Sequence, residues 1–235
     1  MKKVLSLLIV FVLAISLFAG CGSNTKETKV TTKKKEVVPE GVKKLRNAKV
    51  GDTVNLGLSG FVMIEDAPAC DDVFNDNNWI VLAKKADRAL VLLKNPNFYM
   101  KYCGYEDYNG EIKGTATDYE HSFINAELFP ELEKDMKKTE DHIDSWVMNS
   151  KIKDRKYFIL SKAEVKKYVK KKDRKMNKGN GWWLRCSSKY DKKRGDFCAQ
   201  VVYNHGGFFK FDVTAEGLFV AVRPAAWIAL TKEAR

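Results

Sequence analysis

Apolar and polar positions alternate most clearly in the last quarter of the chain. Trp182-Trp183-Leu184-Arg185-Cys186 sets Trp182, Leu184 and Cys186 on one face of a strand and Trp183 and Arg185 on the other. A polar loop follows over 187–196 and a strand-like run over 197–203, after which Asn204-His205-Gly206-Gly207 has the composition of a hairpin turn. Residues 208–213 return along that hairpin. Residues 218–228 form a final run, in which Pro224 marks an edge or a bulge because it brings no N–H to a ladder.

Earlier segments carry weaker versions of the same pattern. Residues 51–58 and 61–64 alternate and predict strands. Trp79-Ile80-Val81-Leu82-Ala83 and Arg88-Ala89-Leu90-Val91-Leu92-Leu93 flank Lys84-Lys85-Ala86-Asp87, which predicts strand, tight turn and strand, the second buried on both faces. Over 118–149 the period becomes helical, with Phe123, Leu128, Leu132 and Met136 near one face and Ile143, Trp146 and Val147 near another. Tyr157-Phe158-Ile159-Leu160 is a short strand. Ser161 with Glu164 three places on has the form of a capping box, so a helix over 162–172 follows.

The first residues change the picture from a plain domain to an exported one. Lys2 and Lys3, an apolar stretch over 4–18 and Ala19-Gly20 have the three parts of a signal peptide over 1–20. Phe18-Ala19-Gly20-Cys21 resembles a bacterial lipobox, with Phe18 where leucine is usual, and predicts a lipid on the Cys21 thiol; an ordinary secretory signal ending near a cysteine is the other reading. Acyl chains there would anchor the protein on the extracytoplasmic face of the cell membrane. Residues 21–46 then have linker composition, with eight cations against three carboxylates over 22–46. Residues 47–235 suffice for a single domain with a substantial core.

Net charge is +12, but much of the excess sits in the linker and in 166–178, where eight cations face Asp173 alone. An exported chain whose charge is confined to two local runs is not expected to bind nucleic acid. Apart from Cys21 there are four cysteines, Cys70, Cys103, Cys186 and Cys198, which allow three pairings. Cys186 with Cys198 is favoured because both lie in strand-like runs around one loop, and Cys70 with Cys103 follows by elimination; four free buried thiols are the other reading. The Asp- and Asn-rich stretch 71–78 lacks the spacing of a calcium loop. His121, His142 and His205 form no metal-binding spacing, and no nucleophile elbow, phosphate loop or dinucleotide fingerprint occurs. No cofactor or metal is expected.

Four blocks together resemble a family of uncharacterised bacterial extracellular domains, domain of unknown function 6273, over about 51–230. They are Trp79-Ile80-Val81-Leu82 with Ala89-Leu90-Val91-Leu92-Leu93; Phe158-Ile159-Leu160-Ser161 with Glu164 and Tyr168; Trp182-Trp183-Leu184-Arg185; and Val222-Arg223-Pro224-Ala225 with Trp227-Ile228. Cys186-Ser187 stands where that family has Ser-Pro, and its helical block is reduced to Ser122-Phe123-Ile124-Asn125. The resemblance implies an α+β fold, mostly antiparallel sheet with two or three helices, of the C-type-lectin-like kind that formylglycine-generating enzymes elaborate. It implies no activity.

Arg185 and Arg223 each interrupt an apolar run, and a buried guanidinium needs acceptors for its five donors. They could grip an anionic or sugar ligand, with Trp182, Trp183 and Trp227 as a stacking platform, or they could lock the fold, which is the favoured reading. The expectation is therefore a lipid-anchored extracellular binding domain without catalysis, its partners the membrane through Cys21 and a cell-wall polymer or surface protein. The alternative is a formylglycine-generating-oxidase-like enzyme using Cys186 and Cys198 with a metal. A site is sought in the loops 95–117 and 187–196.

Overall fold

The computed structural model describes residues 37–58, 77–96, 98–102, 119–136, 143–152, 154–176, 179, 181–213 and 220–235. The signal segment 1–20, Cys21, most of the linker, the expected strand 61–64, Cys70, Cys103, His142 and most of the loop 95–117 lie outside them. Residues 37–235 belong to one unit. That unit begins ten residues before the expected boundary, because Glu40–Asn47, read as the end of the linker, is helix α1. Lysines give the segment the look of a spacer, yet Val42 and Leu45 share one face and are fully buried. Gly41 permits the docking: a Cβ there would lie 2.4 Å from the Leu56 carbonyl oxygen.

Strand β1 (Thr53–Asn55) pairs antiparallel with β2 (Asn78–Lys84), which pairs with β3 (Arg88–Leu93) through the turn expected at 84–87. As the unbroken apolar run requires, β3 is buried on both faces. Ala89, Val91 and Leu93 enter the larger core while Leu90 and Leu92 enter a smaller one. The long helical stretch expected over 118–149 is broken. A π-helical turn, Ile124–Leu128, leads into α2 (Phe129–Met136), and a 3-10 turn, Ile143–Trp146, runs into β4 (Val147–Met148). Pro130, which has no N–H to continue the ladder, falls where the π-helical turn gives way to α2.

After β5 (Tyr157–Phe158) the capping box forms as expected: the Glu164 N–H donates to Ser161 Oγ, and the Ser161 N–H donates to the Glu164 carboxylate. The helix α3 (Lys162–Tyr168) that it starts is shorter than expected and gives way to a 3-10 turn, Lys171–Arg174. The second sheet contains β6 (Gly181–Trp183), β7 (Lys189–Asp191), β8 (Asp196–Tyr203), β9 (Phe208–Asp212) and β10 (Val220–Ala221). β8 and β9 form the hairpin expected around Asn204 to Gly207, with Gly206 at φ +90°. In this sheet β8 is flanked by β6 and β7 on one side and β9 on the other, and β10 joins β6 in parallel.

The chain then crosses back. Val222-Arg223-Pro224 is not strand, as the apolar run 218–228 suggests, but the link from the second sheet to the first. There β11 (Ala225–Ala229) inserts between β3 on one edge and β4 and β5 on the other. The protein is thus α+β, with three α-helices and eleven strands in two mostly antiparallel sheets among the described residues. No helix among them is long and apolar enough to cross a membrane.

Candidate functional site

Arg223 is 1% exposed and spends its guanidinium on backbone. Its Nε donates to the Leu93 carbonyl (2.7 Å), and its terminal nitrogens donate to those of Asp173 (2.7 Å) and Lys94 (3.0 Å). The guanidinium also lies 5.1 Å from the centroid of a Trp182 ring. Burial pulls its pKa down to about 10, which leaves it charged at neutral pH. Trp182 holds the same 3-10 turn, its Nε1 donating to the Arg174 carbonyl. Two signature side chains therefore tie the turn after α3 to the crossover between the sheets.

Arg185 has the same kind of role at the start of α3. Its Nε donates to the Ile159 carbonyl, and a terminal nitrogen lies 2.6 Å from the Glu164 carboxylate that closes the capping box. Trp183 is buried and donates to the Met100 carbonyl, while Trp227 packs partly buried against the smaller core. No open aromatic platform remains among these residues. Arg185, Arg223, Trp182 and Trp183 spend donors on the protein's own carbonyls and on Glu164.

The expected Cys186–Cys198 disulfide is absent, and both cysteines are free thiols. Continuing the β6–β8 register by three residues would set Cys186 opposite Cys198, which is why the spacing suggests a bond. The chain instead leaves the sheet after Leu184: the Arg185 N–H donates to the Leu160 carbonyl, and the place opposite Cys198 is taken by Lys189 of β7. Cys186 Sγ accepts the Gln200 N–H at 3.1 Å. Burial pushes both thiols up in pKa, away from the reactive thiolate. Among the described residues no three His, Cys, Asp or Glu side chains converge in a metal-binding group. His121 is exposed, and His205 sits in the hairpin turn, its Nδ1 accepting the Gly207 N–H.

The surface beside this framework is different in character. Lys162 at the start of α3, Gln200 on β8, Phe208, Phe209 and Lys210 on β9, and Arg194 from the β7–β8 turn line a hollow of about 310 Å³. The Phe208 ring has Lys162, Lys166 and Arg174 over it, at 5.2, 5.9 and 5.5 Å from its centroid. Phe209 is 49% exposed, with the Arg194 guanidinium 4.9 Å from its ring. Lys210 Nζ is 2.9 Å from Asp191 Oδ2, and this bond holds the aspartate below the usual carboxylate range. No carboxylate lines the hollow itself. A larger hollow of about 480 Å³ between α1, the β2–β3 turn and the C-terminal 3-10 turn has no aromatic lining, and its Arg46 and Lys84 already donate to backbone carbonyls.

Of the two loops where a site is sought, 187–196 contributes Arg194, whereas little of 95–117 is described. Phe208, Phe209 and Lys210 escape sequence reasoning because a run alternating about a hairpin reads as structure; Phe209-Lys210 exposed on an edge strand is the available signal. Fold and hollow together define an α+β domain with an open cationic and aromatic surface. No protein family, curated protein or solved structure matches the chain.

Proposed function

We propose that the chain is a binding domain without catalysis, held on the extracytoplasmic face of the membrane by lipid on Cys21, and that it meets its ligand at the hollow between α3 and β9. One observation carries this reading: the conspicuous arginines and tryptophans are consumed inside the frame, while Phe209 and Arg194 stand exposed beside it, next to an exposed Lys210 that is ion-paired with Asp191. Exposed aromatic and cationic side chains on a rigid sheet are a recognition surface, and a hollow near the low end of the roughly 300–1,000 Å³ of small-molecule sites fits a compact group. The C-type-lectin-like arrangement and the resemblance to domain of unknown function 6273 belong to the same proposal and rest on the four sequence blocks.

Two measurements test it. Incorporation of labelled palmitate should disappear in Cys21→Ala, and incorporation that persists overturns the anchor. Retention of the protein on isolated cell envelopes should fall in Phe209→Ala and Arg194→Gln but not in Lys85→Gln at the larger hollow. Equal retention of all three removes the hollow from the proposal.

A further inference from the structure

Three cations and two aromatic rings with no carboxylate among them select the charge of a ligand as well as its shape. Resting on the binding-domain reading above, we propose that the hollow between α3 and β9 seats one anionic sugar ring of an acidic polysaccharide, whose chain continues along the basic face of α3. Lys162, Arg194 and Lys210 would meet the carboxylate or phosphate, and Gln200 offers both a donor and an acceptor to hydroxyls. Lys210 Nζ already lies 2.9 Å from Asp191 Oδ2, so a ligand oxygen there would share that ammonium with the aspartate.

The two phenylalanines have different tasks. Phe208 has three cations over it and is only part-exposed, so it gathers and holds charge. Phe209 is half open and offers an apolar ring against which the C–H face of a sugar can pack. The hollow's 310 Å³ suits one ring, yet the cation excess runs further, through α3 to Lys171, Lys172 and Arg174 of the following turn. Seven helical residues alone extend about 10 Å. A short pocket inside a longer basic strip fits a polymer with a charge on each repeat. Nucleic acid fits less well, since single strands are held on several stacked aromatic faces and the hollow has one open ring.

The test is calorimetric titration of the full chain in detergent with four probes: polygalacturonate, its fully methyl-esterified form, inorganic polyphosphate and single-stranded DNA. Polygalacturonate should bind and weaken linearly with the logarithm of salt concentration. The neutral ester should bind at least about tenfold more weakly, and Arg194→Gln and Lys210→Gln should each cost about tenfold, the loss of one charge-assisted hydrogen bond. Phe209→Ala should weaken polygalacturonate while leaving any polyphosphate binding unchanged. All three side chains are solvent-facing, so these variants keep the fold. Ester binding equal to the acid, DNA or polyphosphate binding tighter than polygalacturonate, or an inert Phe209→Ala would overturn the proposal. If the ester binds as well as the acid and Phe209→Ala abolishes both, the hollow remains the contact and only the anionic class falls. If neither polymer binds and envelope retention ignores Phe209→Ala, the binding-domain reading falls with it.

Discussion

Replacing Arg223 by methionine separates a strut from a ligand clamp. Methionine keeps an unbranched stem in the same channel but strips the donors from the carbonyls of Leu93, Lys94 and Asp173, which all point at a site 1% exposed. A buried acceptor left unpaired costs about 1–3 kcal/mol. The bond to Leu93 is buried and those to Lys94 and Asp173 are part-buried, so the three carbonyls together come to roughly 2–6 kcal/mol, and removal of the cation–π attraction to Trp182 adds about 1 kcal/mol. Relief of the guanidinium's desolvation and burial of the thioether return a few kcal/mol. A net loss of about 3 kcal/mol is therefore expected. Arg223→Lys should fall in between, because one ammonium does not span three divergent carbonyls. Urea unfolding followed by tryptophan fluorescence measures it, with Trp182 as a local reporter 5.1 Å away. A loss below about 1 kcal/mol, within the range of an ordinary surface change, would refute the strut. So would a variant of unchanged stability that had lost ligand binding, since that is the signature of a clamp.

Other outcomes follow from the same contacts. Glu164→Ala removes both the capping-box acceptor and the Arg185 partner, and should lower stability by about 1–2 kcal/mol in the same urea assay; an unchanged midpoint would show that the box is not what starts α3. Cys186 and Cys198 should alkylate with iodoacetamide more slowly than free cysteine at pH 8, because burial holds their thiols protonated, and a non-reducing peptide map should contain no 186–198 pair. Tyr119 and Tyr157 are held protonated by burial, so the folded state keeps protons that the unfolded chain releases near pH 10. Stability should be unaffected by these groups below that pH and fall as pH rises above it, seen as tyrosinate absorbance appearing together with unfolding.

Legibility of the chain tracks how local each cause is. The β2–β3 hairpin, the β8–β9 hairpin and the capping box of α3 each depend on residues a few places apart, and their patterns can be read directly. Helix α1 cannot, because two apolar residues among lysines look like spacer until Leu56 and the core are brought against them. The partners of Arg223 come from positions 93, 94 and 173, and no periodicity links them. The thiol pair fails for a related reason: the register suggests it, but a bond from Arg185 to Leu160 turns the chain out of the sheet. The hollow is half legible, its Arg194 lying in a loop marked by composition and its phenylalanines hidden in an ordinary strand.

The position of β11 also sets a clock. This strand lies inside the first sheet, with β3 on one edge and β4 and β5 on the other, yet among the described strands it comes last along the chain. A chain emerging from its N-terminus can close the two hairpins early, but β3 has no outer neighbour and β4 and β5 have no sheet to join until residue 229 is free. Loop closure over such separations is slow compared with hairpin formation. The first sheet therefore stays incomplete until a late step, when a single five-residue strand knits together segments made at very different times.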